Sequence, residues 1–206
     1  MFGFGIKQKI LQLRLKLGLK SNCTISCGGH LHNCKIRSSG KQNRVVIDSK
    51  TSISHTSIII KGSNCQILIS NDVSIRNSTL FIEHDNSMII IGTASTFEGV
   101  NLLVSEPGQC IEIGNDCMFS HDITVRTSDS HKIMDERTGE RINPPMSVKI
   151  EDHVWIGAGV TILKGSHIGE HVVVGAQSLV NKPLEAHAIY EGIPAKKIRD
   201  SITWER

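Results

Sequence analysis

Residues 150–180 read IEDHVWIGAGVTILKGSHIGEHVVVGAQSLV, with an aliphatic residue at every sixth position: Ile150, Ile156, Ile162, Ile168, Val174 and Val180. Val154, Val160, Ser166, Val172 and Ser178 lie four residues after the first five of these, and Gly157, Gly169 and Gly175 directly follow three of them. A helix repeats every 3.6 residues, so a period of six would smear these positions around its surface. Upstream the period lengthens to 22. Ile25, Ile47, Ile69, Ile91 and Ile113 form one column, and Leu31, Ile53, Ile75, Phe97 and Phe119 follow them after six residues. Ile36, Ile58, Leu80 and Leu102 form a third column; Val45, Ile67, Ile89 and Ile111 form a fourth.

Columns in one register mean stacked structural repeats. Three hexads make a triangular coil of short strands, and the 22-residue period is that coil with extra residues at a corner. Coils stack about 4.8 Å apart, so about seven of them predict a prism roughly 30 Å long with aliphatic ladders inside. The predicted class is all-β, a β-solenoid. Composition agrees: 206 residues fit one domain, and 29 isoleucines against eight aromatic residues favour strands. Lys+Arg 23 against Asp+Glu 20, a formal +3, is too balanced for a chain whose main partner is nucleic acid. Gly without a G-X-Y period, no heptads and 39% apolar residues exclude collagen, coiled coil and disorder.

The expected organisation is a cap over residues 1–20, a solenoid over 21–190 interrupted by a loop insertion at 127–147, and a tail over 191–206. The insertion, a polar stretch with both signs of charge and a Pro-Pro pair, breaks the ladder between Val125 and Val148, as functional loops do. Residues 1–20 hold five basic side chains and no acid. Ile6, Ile10, Leu13 and Leu17 suit a helix, whereas Leu11, Leu13, Leu15, Leu17 and Leu19 alternate as in a strand, so periodicity leaves the choice open. Such a segment caps a solenoid or lies peripherally on an anionic membrane. The apolar runs are too short to span a bilayer, and the first 20 residues lack the uninterrupted apolar core of an export signal. The expectation is therefore a cytoplasmic protein, at most at the inner membrane face, whose six cysteines stay thiols. Cys23, Cys27 and Cys34 around His30 and His32 lack the paired spacing of a structural zinc site, so no metal is expected.

The hexads from Ile156 and Ile168 have the [LIV]-[GAED]-x2-[STAV]-x form of the hexapeptide-repeat acyltransferases. Further motifs strengthen the resemblance. Thr127 to Ile133 (TSDSHKI) is similar to the family's catalytic-histidine motif, Asp152 to Gly157 (DHVWIG) to its D-x-V-W-I-G segment, and Gly192 to Arg199 (GIPAKKIR) to its G-x-P-A-[KR]-x-[IV]-[RK] ending. The best match is the branch of galactoside, maltose and capsular-polysaccharide O-acetyltransferases. The resemblance implies a left-handed parallel β-helix, a homotrimer with sites between subunits, acetyl-CoA as acyl donor and a carbohydrate acceptor, with a surface polysaccharide or its precursor as the expected one.

Within that resemblance His131 is the expected general base, since a neutral imidazole suits removal of a proton from a hydroxyl. Asp129 is its expected orienting partner or an acceptor contact, and His121 is the rival base. Trp155 matches the residue that lines the acetyl-transfer pocket. Asn101 is an acceptor-hydroxyl candidate. Gly157, Ala158, Gly175 and Ala176 supply small side chains along the path of the pantetheine arm. Lys182, Lys196 and Arg199 match positions at the nucleotide end, although Pro183 departs from the family pattern after Lys182. His153, His167 and His171 fall between ladder positions and are expected to be solvated. Three alternatives stand beside this reading: another small acceptor such as serine or an aminosugar nucleotide, a zinc hydratase of the γ-carbonic-anhydrase kind, and a non-enzymatic solenoid. The hydratase would need H-x4-H, whereas His167 and His171 are spaced H-x3-H.

Overall fold

The computed structural model describes residues 23–206, so the cap or membrane contact expected of residues 1–20 lies outside the described residues. Every element among the described residues is a strand. Two seven-stranded sheets and one nine-stranded sheet enclose a single core. The chain visits faces A, B and C in turn, so successive strands on one face belong to successive coils and pair in parallel. The first coil is Cys23–Cys27, His30–His32 and Lys35–Ser38, and the seventh is His167–Ile168, Val173–Val174 and Leu179–Val180.

Alternation explains burial. Each strand turns every second side chain inward, and on face A the column Ile47, Ile69, Ile91, Ile113, Ile150 and Ile168 is at most 1% exposed. Face B stacks Ile53, Ile75, Phe97, Phe119, Ile156, Val174 and Tyr190. Face C stacks Ile36, Ile58, Leu80, Leu102, Val125, Ile162 and Val180. One sequence column is corrected at its first member: Ile25 pairs with Val45, and Cys27 with Ile47. The corner at Gly28 and Gly29 is two residues shorter than its counterpart in the next coil. A Cβ on Gly29 would lie 2.4 Å from the Thr51 carbonyl, so the shortcut requires glycine there.

The added residues of the 22-residue coil are unevenly placed. Ile69 to Ile75 spans six residues, Ile75 to Leu80 only five, and Leu80 to Ile91 eleven, so the C-to-A corner carries the excess. The insertion 127–147 leaves from that same corner, between the face C strand Ile123–Arg126 and the face A strand Val148–Ile150. After the seventh coil, Ala188–Glu191 continues face B and Lys196–Asp200 returns antiparallel to it. Residues 201–206 then run back along the A/B edge as a strap. The Ile202 amide donates to the His187 carbonyl, and Arg206 reaches Asp116 three coils away from it. All six cysteines are free thiols. Burial raises the Cys117 thiol to about 12 and the Cys110 thiol to about 11, which makes both poor nucleophiles.

Candidate functional site

Three successive C/A corners supply the root of the insertion. Glu106, from the fourth coil, receives a two-point ion pair from Arg141 at 2.5 and 2.7 Å and a hydrogen bond from the Ser128 hydroxyl. Asn143, only 8% exposed, donates to the Asp129 carboxylate at 2.9 Å and to the His131 carbonyl at 2.8 Å, and accepts from the Ile133 amide at 2.7 Å. Lys164, from the sixth coil, binds Asp129 at 2.5 Å and the Asn143 carbonyl at 3.1 Å. The backbone on both sides of His131 is thus fixed by a bonded polar cluster in which Asn143 and Ser128 are buried. Its side chain is exposed and makes no hydrogen bond or ion pair among the described residues.

Asp129 therefore faces Lys164 and Asn143, and these two, in that order, hold its carboxyl below the usual range. The Arg141 guanidinium draws Glu106 down from its ordinary 4.5 to about 2. The folded value lies below the unfolded one, so this pair contributes its full stability above about pH 4.5 and loses it as pH falls towards about 2. Asp129 adds to the trend in the same direction. Amide protection across 128–143, taken relative to the intrinsic exchange rate at each pH, should fall on acidification through that window, and in Glu106→Gln the dependence should be markedly shallower. A slope unchanged by the substitution would remove Glu106 from the control of the loop.

His121, the rival base, is exposed at the B/C corner, where its Nδ1 lies 3.0 Å from Asp122 and its carbonyl accepts from the Gly159 amide. Asn101 points outward from face C, one coil before the strand that leads into the insertion, so Asn101, Asp129 and His131 gather on one side of the prism. Trp155 does not join them. It projects from face B, aligned with Met118 and Val173 on adjacent coils, and is 38% exposed. Face B does not border the C/A edge, so His131 and Trp155 of one chain are separated by the body of the solenoid.

Beside Trp155 the B/C corner is stripped of bulk. A Cβ on Gly157 would approach the Ala176 amide nitrogen to 2.7 Å, and one on Gly175 would approach Glu191 Cβ to 3.0 Å. Gly157, Ala158, Gly175 and Ala176 consequently form a strip without large side chains. Lys182, Lys196 and Arg199 are exposed at the last-coil end and make no ion pair among the described residues. Lys197, by contrast, is committed to Glu185 and Asp200. The concavity on face A, lined by Glu112, Lys149, Glu151 and Glu170, includes none of these candidates.

His153 departs from the solvated expectation. Its side chain is 21% exposed, with Nδ1 at 2.7 Å from Asp116 and Nε2 at 2.9 Å from the Trp204 carbonyl. The rings of Trp204, His153, His171 and His187 run in series along the A/B edge at 4.1, 4.8 and 4.6 Å. His153, His171 and His187 occupy equivalent corners with φ near +55°, a backbone conformation histidine tolerates better than branched residues do. His167 is engaged separately, by Glu151 at 2.8 Å.

Residues 147–182 match the family model for the bacterial transferase hexapeptide (six repeats). The polysialic acid O-acetyltransferase of Escherichia coli O1:K1 / APEC is 34% identical over 96 residues, which is 47% of this chain and 31% of that protein. The polysialic acid O-acetyltransferase of Neisseria meningitidis is 51% identical over 55 residues, 27% of this chain and 26% of that protein. The matches thus span about a third or less of these curated relatives' length. The crystal structure of the polysialic acid O-acetyltransferase OatWY superposes with a TM-score of 0.87 and 33% identity, covering 90% of this chain and 89% of that one. The solenoid is accordingly a left-handed parallel β-helix, and the chain belongs to the hexapeptide-repeat acyltransferase family.

Proposed function

We propose that the protein transfers an acetyl group from acetyl-CoA to a sugar hydroxyl of a surface polysaccharide or its precursor. One observation carries the reading: at the break in a hexapeptide solenoid, a fully bonded polar root holds the backbone of His131 while leaving its imidazole uncommitted. In the proposed reaction the acceptor hydroxyl gives its proton to that imidazole as its oxygen attacks the thioester carbonyl. The carbon–sulfur bond then breaks, and CoA leaves with the proton returned to its sulfur. Trp155 excludes water from the acyl end, which favours transfer over hydrolysis. Asn101 and Asp129 border the acceptor. The small-residue strip takes the pantetheine arm, and Lys182, Lys196 and Arg199 meet the phosphates. His131 and Trp155 lie on separate sides of one chain, so the complete site is assembled between subunits of a homotrimer. The relatives named for polysialic acid support an acidic glycan as acceptor.

The test is thiol release from acetyl-CoA with oligosialic acid, simple galactosides, serine and an aminosugar nucleotide, against a control without acceptor. Release should exceed the control with a glycan. No release above the control with any acceptor overturns the reading, and release with serine alone moves the substrate class. In the same assay, Lys196→Ala with Arg199→Ala should weaken acetyl-CoA more than its dephospho form, because the 3′-phosphate is the lost partner.

A further inference from the structure

The strap 201–206 is more firmly held than its exposed neighbours require. Trp204 is only 7% exposed, and its ring lies on His153 at 4.1 Å and 11°. Its Nε1 donates to the His153 carbonyl at 2.8 Å, while the Trp204 carbonyl faces His153 Nε2 at 2.9 Å, so the two residues are joined by a ring stack and two hydrogen bonds. Arg206 then clamps the strap end: its guanidinium reaches the Asp116 carboxylate, the Thr96 hydroxyl and the carbonyls of Ala94 and Cys117. Thr203 Oγ1 lies 3.3 Å from His171 Nδ1.

What this clamp presents to the rest of the molecule is one edge of an indole. Trp155 stands 6.0 Å from Trp204, centroid to centroid, at 52°. Towards the B/C corner Trp155 has only Gly157 and the methyl group of Ala158, and Met118 and Val173 flank it on the adjacent coils. Across the face, the aromatic contact to the outward ring comes from the strap side. A ring that must seal an acyl group from water has to hold one orientation. We propose that Trp204 is a positioning residue for the acyl-transfer pocket: held by His153 and Arg206, it fixes the orientation of Trp155. This rests on the acetyl-transfer reading given above.

Trp155 and Trp204 are the two tryptophans of the chain, so their near-ultraviolet circular dichroism reports the pair directly. Trp204→Ala should abolish the coupled signal, lower kcat for transfer roughly 10-fold and raise the share of acetyl-CoA lost to water, since small misplacements of a reacting group are costly. Trp204→Phe, which keeps a ring over His153, should recover most of kcat. The double variant with Trp155→Ala should be no slower than Trp155→Ala alone, because Trp204 acts through Trp155. Should Trp204→Ala fail to fold, Arg206→Ala carries the test with the same signature at smaller amplitude. A variant that melts earlier but keeps wild-type kcat and partitioning overturns the positioning role, as do losses that multiply in the double variant. Wild-type turnover in Trp155→Ala overturns the pocket reading instead, which separates the two failures.

Discussion

His131→Ala is expected to cut turnover on the acceptor by at least about 10²-fold while acetyl-CoA binds almost as before. The magnitude is that of a general base, and the selectivity follows from where the residue sits. The ring of His131 is exposed and bonded to nothing among the described residues, whereas its backbone is held by Asn143. Alanine keeps those backbone contacts, so the loop should retain its shape and the loss should be chemical. His121→Ala serves as the counterpart. Its ring is paired with Asp122 at a corner facing away from the insertion, and its substitution should leave turnover near wild type. The reverse pattern, with His121→Ala inactive and His131→Ala active, would transfer the base to the B/C corner.

The second large effect is a recovery. His131→Ala and Trp155→Ala should each be nearly inactive alone, yet mixing them through unfolding and refolding should restore about a quarter of wild-type activity. The figure follows from shared sites in a cyclic trimer: a competent site needs His131 from a Trp155→Ala chain and Trp155 from a neighbouring His131→Ala chain, each present with a probability of about one half. A site built within one chain would give no recovery, because every chain carries one defect. Sedimentation of the mixture should show a trimer, and a fully active monomer would remove the shared-site arrangement altogether.

The columns on faces A, B and C were legible because an inward side chain recurs at a fixed interval, and only a repeating backbone does that. The exception is Ile25. Both Ile47 and Val45 are acceptable partners for an isoleucine by chemistry, and the choice between them is made by a two-residue difference at Gly28 and Gly29, which periodicity counts as corner. The site divided along the same line. His131 and Trp155, the residues proposed for the chemistry, stand in motifs that are continuous in sequence. The partners that fix the loop are Lys164, 35 residues beyond Asp129, and Glu106, 35 residues before Arg141. Salt bridges across stacked corners leave no periodic trace, since any polar residue suits a corner position. The strap was hidden for a similar reason: Trp204 meets His153 across 51 positions, after the hexad pattern has ended.

Upstream of these contacts the second and third coils, from Asn43 to Ile82, are near-interchangeable storeys, whose corners hydrogen-bond to the storey above at matching places. Removing or adding one whole 22-residue storey there would change the tower's height by about 4.8 Å and return every inward residue to its column. The loop, the strap and the outward indole draw on the coils from the fourth onward. Height in such an architecture is quantised, and it can drift over evolutionary time at one end while the working end keeps its geometry.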